Sequence, residues 1–470
     1  MKWIKNRCIS LVLTAGNMAF WLCLRDLSPM FDQYPFLMYV YQLRVQIPAF
    51  IVLGATLMWT MYAFKTTGGK RCVYARTLCC GIAFVLFQQC YNLLLRRRIY
   101  VVNPWMELIC VCIGAALFGW ILGRVKRDKI SPEEGRRVSW ESVSVYRSQL
   151  MGVAMLGVIL EHSRSTNVPY VLPLDFISRI GSSGVDMFLF VSGIGMVYSL
   201  SKNSNTLAFY KRRVRKFFPE TMPWIAMYSL HRVAIGKIGI GVFIANCLGI
   251  GYWVSASGFN WYYSFILLLY LVSPLMYRLL RRRETRYGWA VAMIAASMAF
   301  LFFLYDVLDA TRMYVSFSRG PIFVIGMLAG FWLQEGVTLS REEYRSLLPI
   351  VLVFSFLAYA SAMLNLSPII GCMLFCYCIF APGLCLLLSR LFCRVKDGWL
   401  MRFLRWTGEN SLLLFVLNII LRKLYTSYIH PSMVRDVWKF LGTTAMIAVN
   451  FLIVLLVQLA KERLSRRRTA

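Results

Sequence analysis

The amino-acid sequence predicts an all-α polytopic membrane protein with about fourteen transmembrane helices. Three observations carry this. Apolar residues fill 59% of the 470 positions and charged ones only 16%, giving a mean hydropathy of +0.60. Apolar runs of roughly 17–23 residues recur along the chain, long enough at ~1.5 Å per residue to cross ~30 Å of hydrocarbon. The 52 Lys and Arg, against 21 Asp and Glu, collect in short clusters between those runs, as the positive-inside rule expects. No strand alternation supports a β-barrel. No basic stretch is interleaved with aromatics on a polar segment, so the expected partner is the lipid bilayer and not nucleic acid.

Taken in order, the N-terminus MKWIKNR precedes an apolar run and has the look of a signal peptide. Further spans follow directly, so it reads as a retained first helix. Candidate spans at 8–25, 43–64, 77–95 and 104–123 make residues 1–128 an N-terminal four-span module. A charged, helix-poor connector follows, with 129–146 read as a cytoplasmic linker. Apolar runs then lie near 148–166, 180–200, 217–235, 238–254, 260–280, 288–304, 319–335, 346–363, 370–391, 407–422 and 438–460. Two strongly basic clusters, at 202–216 and 278–286, both belong on the cytoplasmic side, so an even number of crossings separates them. Three candidates lie between. The segment GIGIGVFIANCLGIGYWV is glycine-rich, short and uncharged, and fits an interfacial or re-entrant piece. Dropping it leaves a ten-helix core in 147–460, a basic tail at 461–470 and both termini cytoplasmic. Arg96 to Arg98 then fall outside, against the rule.

The core opens with YRSQLMGVAMLGVILEH, an apolar helix ending on Glu161 and His162. After a polar connection, GSSGVDMFLFVSG brings Asp186 to the same end of the neighbouring helix. Ionisable residues inside a membrane are costly and are candidates for function. The fourteen cysteines lie mostly in or at the ends of apolar runs. Cys372, Cys376 and Cys378 have no accompanying histidine, and with three histidines in the chain (His162, His231, His430) no metal site is expected. GIGIGVFIANCLGIG lacks the strand–turn–helix setting of a nucleotide-binding loop.

MGVAMLGVILEH, GVDMFLFVSGIG, FYKRRVRKFFP, NWYYSFILLLYLVSP, RGPIFVIGMLAG and GENSLLLFVLN follow one another in the order found in the membrane-bound acyltransferase 3 family, which this chain resembles over about 147–460. That family includes O-acetyltransferases of surface glycans. The resemblance implies transfer of an acyl group, usually acetyl from cytoplasmic acetyl-CoA, to a hydroxyl of an extracytoplasmic polysaccharide or lipid-linked sugar. It implies no bound cofactor, a bacterial inner-membrane location, and acyl-CoA and a glycan as partners; self-association is compatible with the sequence. A transporter or flippase for a lipid-linked or anionic substrate is the reading from another class. Many transporters carry internal repeats, and none is evident here. A family member without catalysis is the third.

The implied chemistry needs a base, a cationic seat for the CoA phosphates and a passage between them. An imidazole suits the first task, as base or as transient acyl carrier, which makes His162 the expected catalytic group. Asp186 or Glu161 would fix its tautomer; a helix-end histidine facing interfacial water is the plainer alternative. Lys211, Arg212, Arg213, Arg215 and Lys216 are expected at the phosphates, which arginine pairs bidentately, or else serve topology alone. Arg319, at the outer start of its helix, matches a family arginine and would hold the acyl carbonyl or an acidic acceptor sugar, unless it snorkels to the interface. Trp261, with Tyr262 and Tyr263, would meet the acceptor or form an interfacial belt. His231 and Arg232 lie at the outer end of the third core helix, where an interfacial pair suffices.

Two residues depart from the family pattern. Met151 stands where the first motif has an arginine, eleven positions before the histidine; eleven steps of 100° return to within about 20° of the same face. Arg147 lies fifteen residues before His162, about 60° round and ~22 Å lower, and is the expected substitute anchor for the donor. Asn418 stands where the last motif often has histidine, and is expected at the acyl group or acceptor.

Overall fold

A computed structural model of the chain describes residues 138–166, 168, 174–202, 205–255, 261–306, 313–339, 370–429 and 436–469, with single positions at 51, 113, 344, 347, 351, 354, 355 and 358. Apart from positions 51 and 113, the expected 1–128 module with its four spans and Arg96 to Arg98 lies outside them, as does His430. The described residues fall into two compact units. One comprises Ser139–Thr338 and Leu384–Ala470; the other groups Met1–Val138 with Leu339–Gly383. Strand structure among the described residues is a pair of two-residue strands, β1 (Val138–Ser139) and β2 (Thr338–Leu339). All other regular structure among the described residues is helical.

The larger unit begins with α1 (Glu141–Val145), a short helix inside the expected linker. α2 (Arg147–Ser163) follows and carries His162 in its last turn. A short turn and α3 (Leu174–Ile180) lead into α4 (Ser183–Lys202). α4 is buried along nearly its whole length, which makes it the hub of this unit. Between lipid-embedded helices no hydrophobic gain drives association, so close packing through small residues does. Gly184 of α4 faces the Ala154 carbonyl of α2. On the next helix face, Gly193 approaches Phe323 and Met327 of α11 (Gly320–Gln334), and Gly326 of α11 meets the Phe190 carbonyl in return.

α5 (Thr206–Ala234) runs 29 residues and starts eleven positions before the expected span at 217. The basic cluster lies within it, because Lys and Arg are good helix formers that a hydropathy window passes over. The glycine-rich segment splits into α6 (Ile240–Cys247) and α7 (Gly251–Ser255), turned by Gly249 at φ +78°. Eight residues extend about 12 Å, so neither piece spans. α8 (Trp261–Leu280) then returns the chain: Arg278 Nη2 donates to Thr206 Oγ1 at 3.3 Å, at the start of α5. The two basic clusters therefore share one end of the bundle, as charge parity requires.

α9 (Arg286–Asp306), α10 (Tyr314–Phe317) and α11 follow. α12 (Ile370–Phe392) precedes the last three helices. The expected span at 407–422 is instead two helices broken at Asn410: amphipathic α13 (Trp399–Glu409) and apolar α14 (Ser411–Tyr428). The Asn410 side chain donates back to Trp406 O at 2.8 Å, capping the first before the second begins. α15 (Asp436–Thr469) absorbs the expected basic tail into one 34-residue helix, and its Lys461 lies 3.7 Å from Glu220 near the basic end of α5. Among the described residues, five segments are long and apolar enough to cross a membrane: Ser183–Lys202, Trp261–Leu280, Val315–Gln334, Ser411–Tyr428 and Val437–Leu464.

The glycine contacts make a direct prediction. Gly193→Val forces a branched side chain onto the α11 backbone, 2.5 Å from Phe323 O and 2.8 Å from Met327 N at its Cβ. Overpacking of this kind costs about 1–3 kcal/mol or more. The purified protein should unfold at a clearly lower temperature by tryptophan fluorescence, whereas Gly288→Ala, with nothing within 4 Å of the added carbon, should not.

Candidate active site

α2 and α14 hold the centre of the site between them. His162 Nδ1 lies 2.6 Å from Asn418 Oδ1, and an amide oxygen only accepts, so Nδ1 carries the proton and Nε2 keeps its lone pair. Glu161 Oε2 stands 3.5 Å from Nε2. The imidazole side chain is 13% exposed and its ring lies 6.0 Å from that of Phe415. α14 organises this by spacing. Ser411, Phe415, Asn418 and Arg422 follow at intervals of four, three and four, which places them along one helix face.

The expected tautomer-fixing role divides unequally. Glu161 approaches His162, but Asp186 is engaged elsewhere: its Oδ2 accepts from Arg319 Nη1 at 2.8 Å. Arg319 also donates to Ser182 O at 3.0 Å, and its guanidinium lies 5.1 Å from the Trp261 ring. Arg319 is 2% exposed, so it does not snorkel; it is an interior cation neutralised by a buried carboxylate. Asp186 Oδ1 is buried and accepts no hydrogen bond among the described residues. Asn418, expected at the acyl group or acceptor, is instead the partner of His162. Tyr262 and Tyr263 are buried rather than interfacial, and Tyr263 stacks on Phe217 at 4.8 Å.

Below this centre lies a cavity of about 120 Å³, lined among others by Arg147, Met151, Arg213, Lys216, Tyr262 and Phe415. Of the basic residues expected at the donor phosphates, Arg147, Arg213 and Lys216 line it, while Lys211, Arg212 and Arg215 are exposed outside it. Arg213 is steadied by the rings of Phe209 and Tyr270, each 5.3 Å from its guanidinium. Glu220 and Glu409 also line the space, so three cations face two carboxylates. Arg147 and Met151 sit one turn apart on the same wall, which makes Arg147 an available cation beside the position where the family pattern has arginine. The far wall is aromatic: Tyr262 packs on Phe415 at 5.0 Å and on Phe188 at 6.2 Å. Phe415 thus touches both the cavity and the His162 ring.

Sequence reasoning passed over Tyr270, the lining role of Tyr262, and Arg422. The last was signalled by its place four residues after Asn418 in LNIILRK. No cluster of three or more metal-ligating side chains occurs among the described residues.

The turn after α2 is closed by Asp175, which accepts from Arg164 Nη1 at 2.9 Å and from Arg179 Nε at 2.8 Å. Burial pushes its carboxyl upward, but the hydrogen bonds and charges of Arg179 and Arg164 outweigh that and hold it below its usual value of 3.8.

A family model described as an acyltransferase domain matches residues 150–459. No curated protein and no solved structure matches the chain.

Two measurements check this geometry. Asp186→Asn leaves Arg319 without its buried carboxylate, a change worth about 3–5 kcal/mol, whereas the apolar pair D186L/R319M should recover most of that stability. Thermal unfolding of the two variants separates them. For Asp175 the folded carboxyl holds its proton less tightly than the unfolded one. Its contribution is therefore complete above the ordinary value and disappears as pH falls through the lower folded value. The gap in unfolding temperature between wild type and Asp175→Asn should be present at pH 7 and close below about pH 4.

Proposed function

The chain belongs to the acyltransferase 3 family, and from that premise we propose that this membrane acyltransferase moves acetyl from cytoplasmic acetyl-CoA to a hydroxyl of an extracytoplasmic polysaccharide or lipid-linked sugar. The observation that carries this reading is His162, held by Asn418 with Nε2 free of that bond, above a cavity walled by Arg147, Arg213 and Lys216. The three cations suit the phosphates of CoA at the end where the basic clusters gather, which the positive-inside rule assigns to the cytoplasm. Arg147, one turn below Met151, serves as the substitute anchor for the donor. A bacterial inner membrane with both termini cytoplasmic is the matching location.

In the proposed reaction His162 Nε2 removes the acceptor hydroxyl proton as the oxygen attacks the thioester carbonyl. The tetrahedral intermediate collapses with cleavage of the carbon–sulfur bond. The imidazolium returns its proton to the departing thiolate, giving free CoA and the ester. Glu161, 3.5 Å from Nε2, stabilises the cation in between. Asn418 is a positioning residue: its oxygen selects the tautomer and fixes the ring. The Asp186–Arg319 pair holds the ends of α4 and α11 behind the site.

Membranes containing the protein, given isotope-labelled acetyl-CoA and the host glycan, should yield labelled ester. His162→Ala should lower the rate by about 10²–10⁴-fold while leaving the protein in the membrane. Unchanged labelling by that variant would remove His162 from the chemistry. Asn418→Asp keeps an acceptor on Nδ1 but adds a charge that favours imidazolium, so the acidic limb of the pH–rate profile should move to higher pH.

A further inference from the structure

We propose that Arg422, Lys423 and Arg232 form an anion site at the His162 end of the bundle, and that it receives the carboxylate or phosphate of an acidic acceptor sugar. This rests on reading His162 as the base, and adds the chemical class of the acceptor.

The placement follows from α14. Arg422 is one turn beyond Asn418 on the same face, about 6 Å further along the helix. Its Nη1 donates to Ser165 Oγ at 3.4 Å, and Ser165 Oγ in turn donates to the backbone carbonyl of His162 at 2.7 Å. Arg422 is therefore braced against the turn that follows the imidazole, and lies within electrostatic range of His162 itself. Its Nε is buried and has no hydrogen-bond partner among the described residues. Lys423 adjoins it and interacts electrostatically with both Arg422 and Arg232. The end of α5 that carries Arg232 is drawn to α14 by the contact between His231 Nε2 and Tyr428 Oη at 2.9 Å.

Charge pairing separates this cluster from other arginines nearby. Arg164 and Arg179 share Asp175, and Arg319 has Asp186. Arg232, Arg422 and Lys423 have no carboxylate within 4 Å among the described residues; Glu161 is the carboxylate that Arg422 senses at longer range. Like charges gathered in a partly buried place repel, and a bound anion relieves that repulsion while giving the guanidinium its hydrogen bonds. Arg319, the sequence-based candidate for an acidic acceptor, already holds a carboxylate. Arg422 does not. An acidic group bound there would stand about one helical turn from the reacting nitrogen, a spacing suited to a hydroxyl on the same sugar ring or its neighbour.

The test reads binding without acyl transfer, so it stands apart from the His162 experiment. Full-length protein in neutral detergent is heated with glucuronate, glucose 1-phosphate or glucose, and unfolding is followed by tryptophan fluorescence. At least one acidic sugar should raise the midpoint by roughly 2–4 °C at saturation, and glucose should not. That protection should vanish in R422Q/K423Q and survive in Arg422→Lys and in R147Q/R213Q, which alters the opposite cavity. Should the double variant not fold, Arg232→Gln should weaken the protection. Equal protection by glucose, protection by no sugar, persistence in R422Q/K423Q, or loss confined to R147Q/R213Q overturns the proposal. A further arm adds phosphatidylglycerol: protection by that lipid and by neither acidic sugar would assign the cluster to headgroups and overturn the acceptor reading.

Discussion

A charged or polar group inside a lipid-embedded bundle has no water to turn to, and the ion pair between Asp186 and Arg319 is how this fold meets that constraint at its most buried point. Both partners come from helix starts: Asp186 from the first turn of α4, Arg319 from the residue before α11. Their 2.8 Å contact locks together two helices whose glycines already bring the backbones close. Neither device works alone. The glycines set the separation at which the guanidinium reaches the carboxylate, and the pair fixes the axial register at which Gly193 and Gly326 fall opposite backbone. α2 packs on the same hub through Gly184, so the height of His162 is inherited from this arrangement.

The neutral amide on His162 has a physical consequence of its own. A carboxylate partner would favour imidazolium and tie up the ring as a cation. An amide oxygen selects the tautomer without adding charge, and leaves Glu161 at 3.5 Å as the modest electrostatic support for a transient cation. Asn418 and Phe415 reach the ring from the same stripe of α14. One side of the imidazole is thus held by a hydrogen bond and another by an aromatic face.

Much of this was legible in the sequence for identifiable reasons. Hydrophobic run length and cationic clusters located most described helices. Charge parity, with glycine content, short length and lack of charge, singled out the segment that forms α6 and α7. His162 and Glu161 were visible because a titratable pair at the end of an apolar helix is expensive. Helix starts in charged text were not visible, since Lys211 to Lys216 continue α5 while looking like a loop to a hydropathy window. Side-chain partnership was illegible too. Asp186 and Arg319 are 133 residues apart, and His162 and Asn418 are 256 apart, so only the packing of α4 on α11 and of α2 with α14 selects those pairs. The four-three-four stripe from Ser411 to Arg422 was present in the text, and its meaning depended on knowing what α14 faces.

The aromatic wall is where the two halves of the proposed reaction have to meet. Met151 lines the cavity and His162 lies eleven residues along the same helix face, so about 16 Å separates that stretch of the cavity wall from the base, and Arg147 lies ~22 Å from it. Tyr262 and Phe415 stand in that interval, with rings 5.0 Å apart, and Phe415 touches both sides. A thioester is attacked by water as readily as by a sugar hydroxyl unless water is kept away, and two packed rings are a barrier to water that an acyl chain can wet. The apolar Met151 in place of an arginine extends the same dry lining downward, and moves the nearest helix-borne cation, Arg147, one turn toward the mouth. On the proposed reading the phosphates are held lower and the acyl arm crosses a longer apolar stretch before it reaches the imidazole.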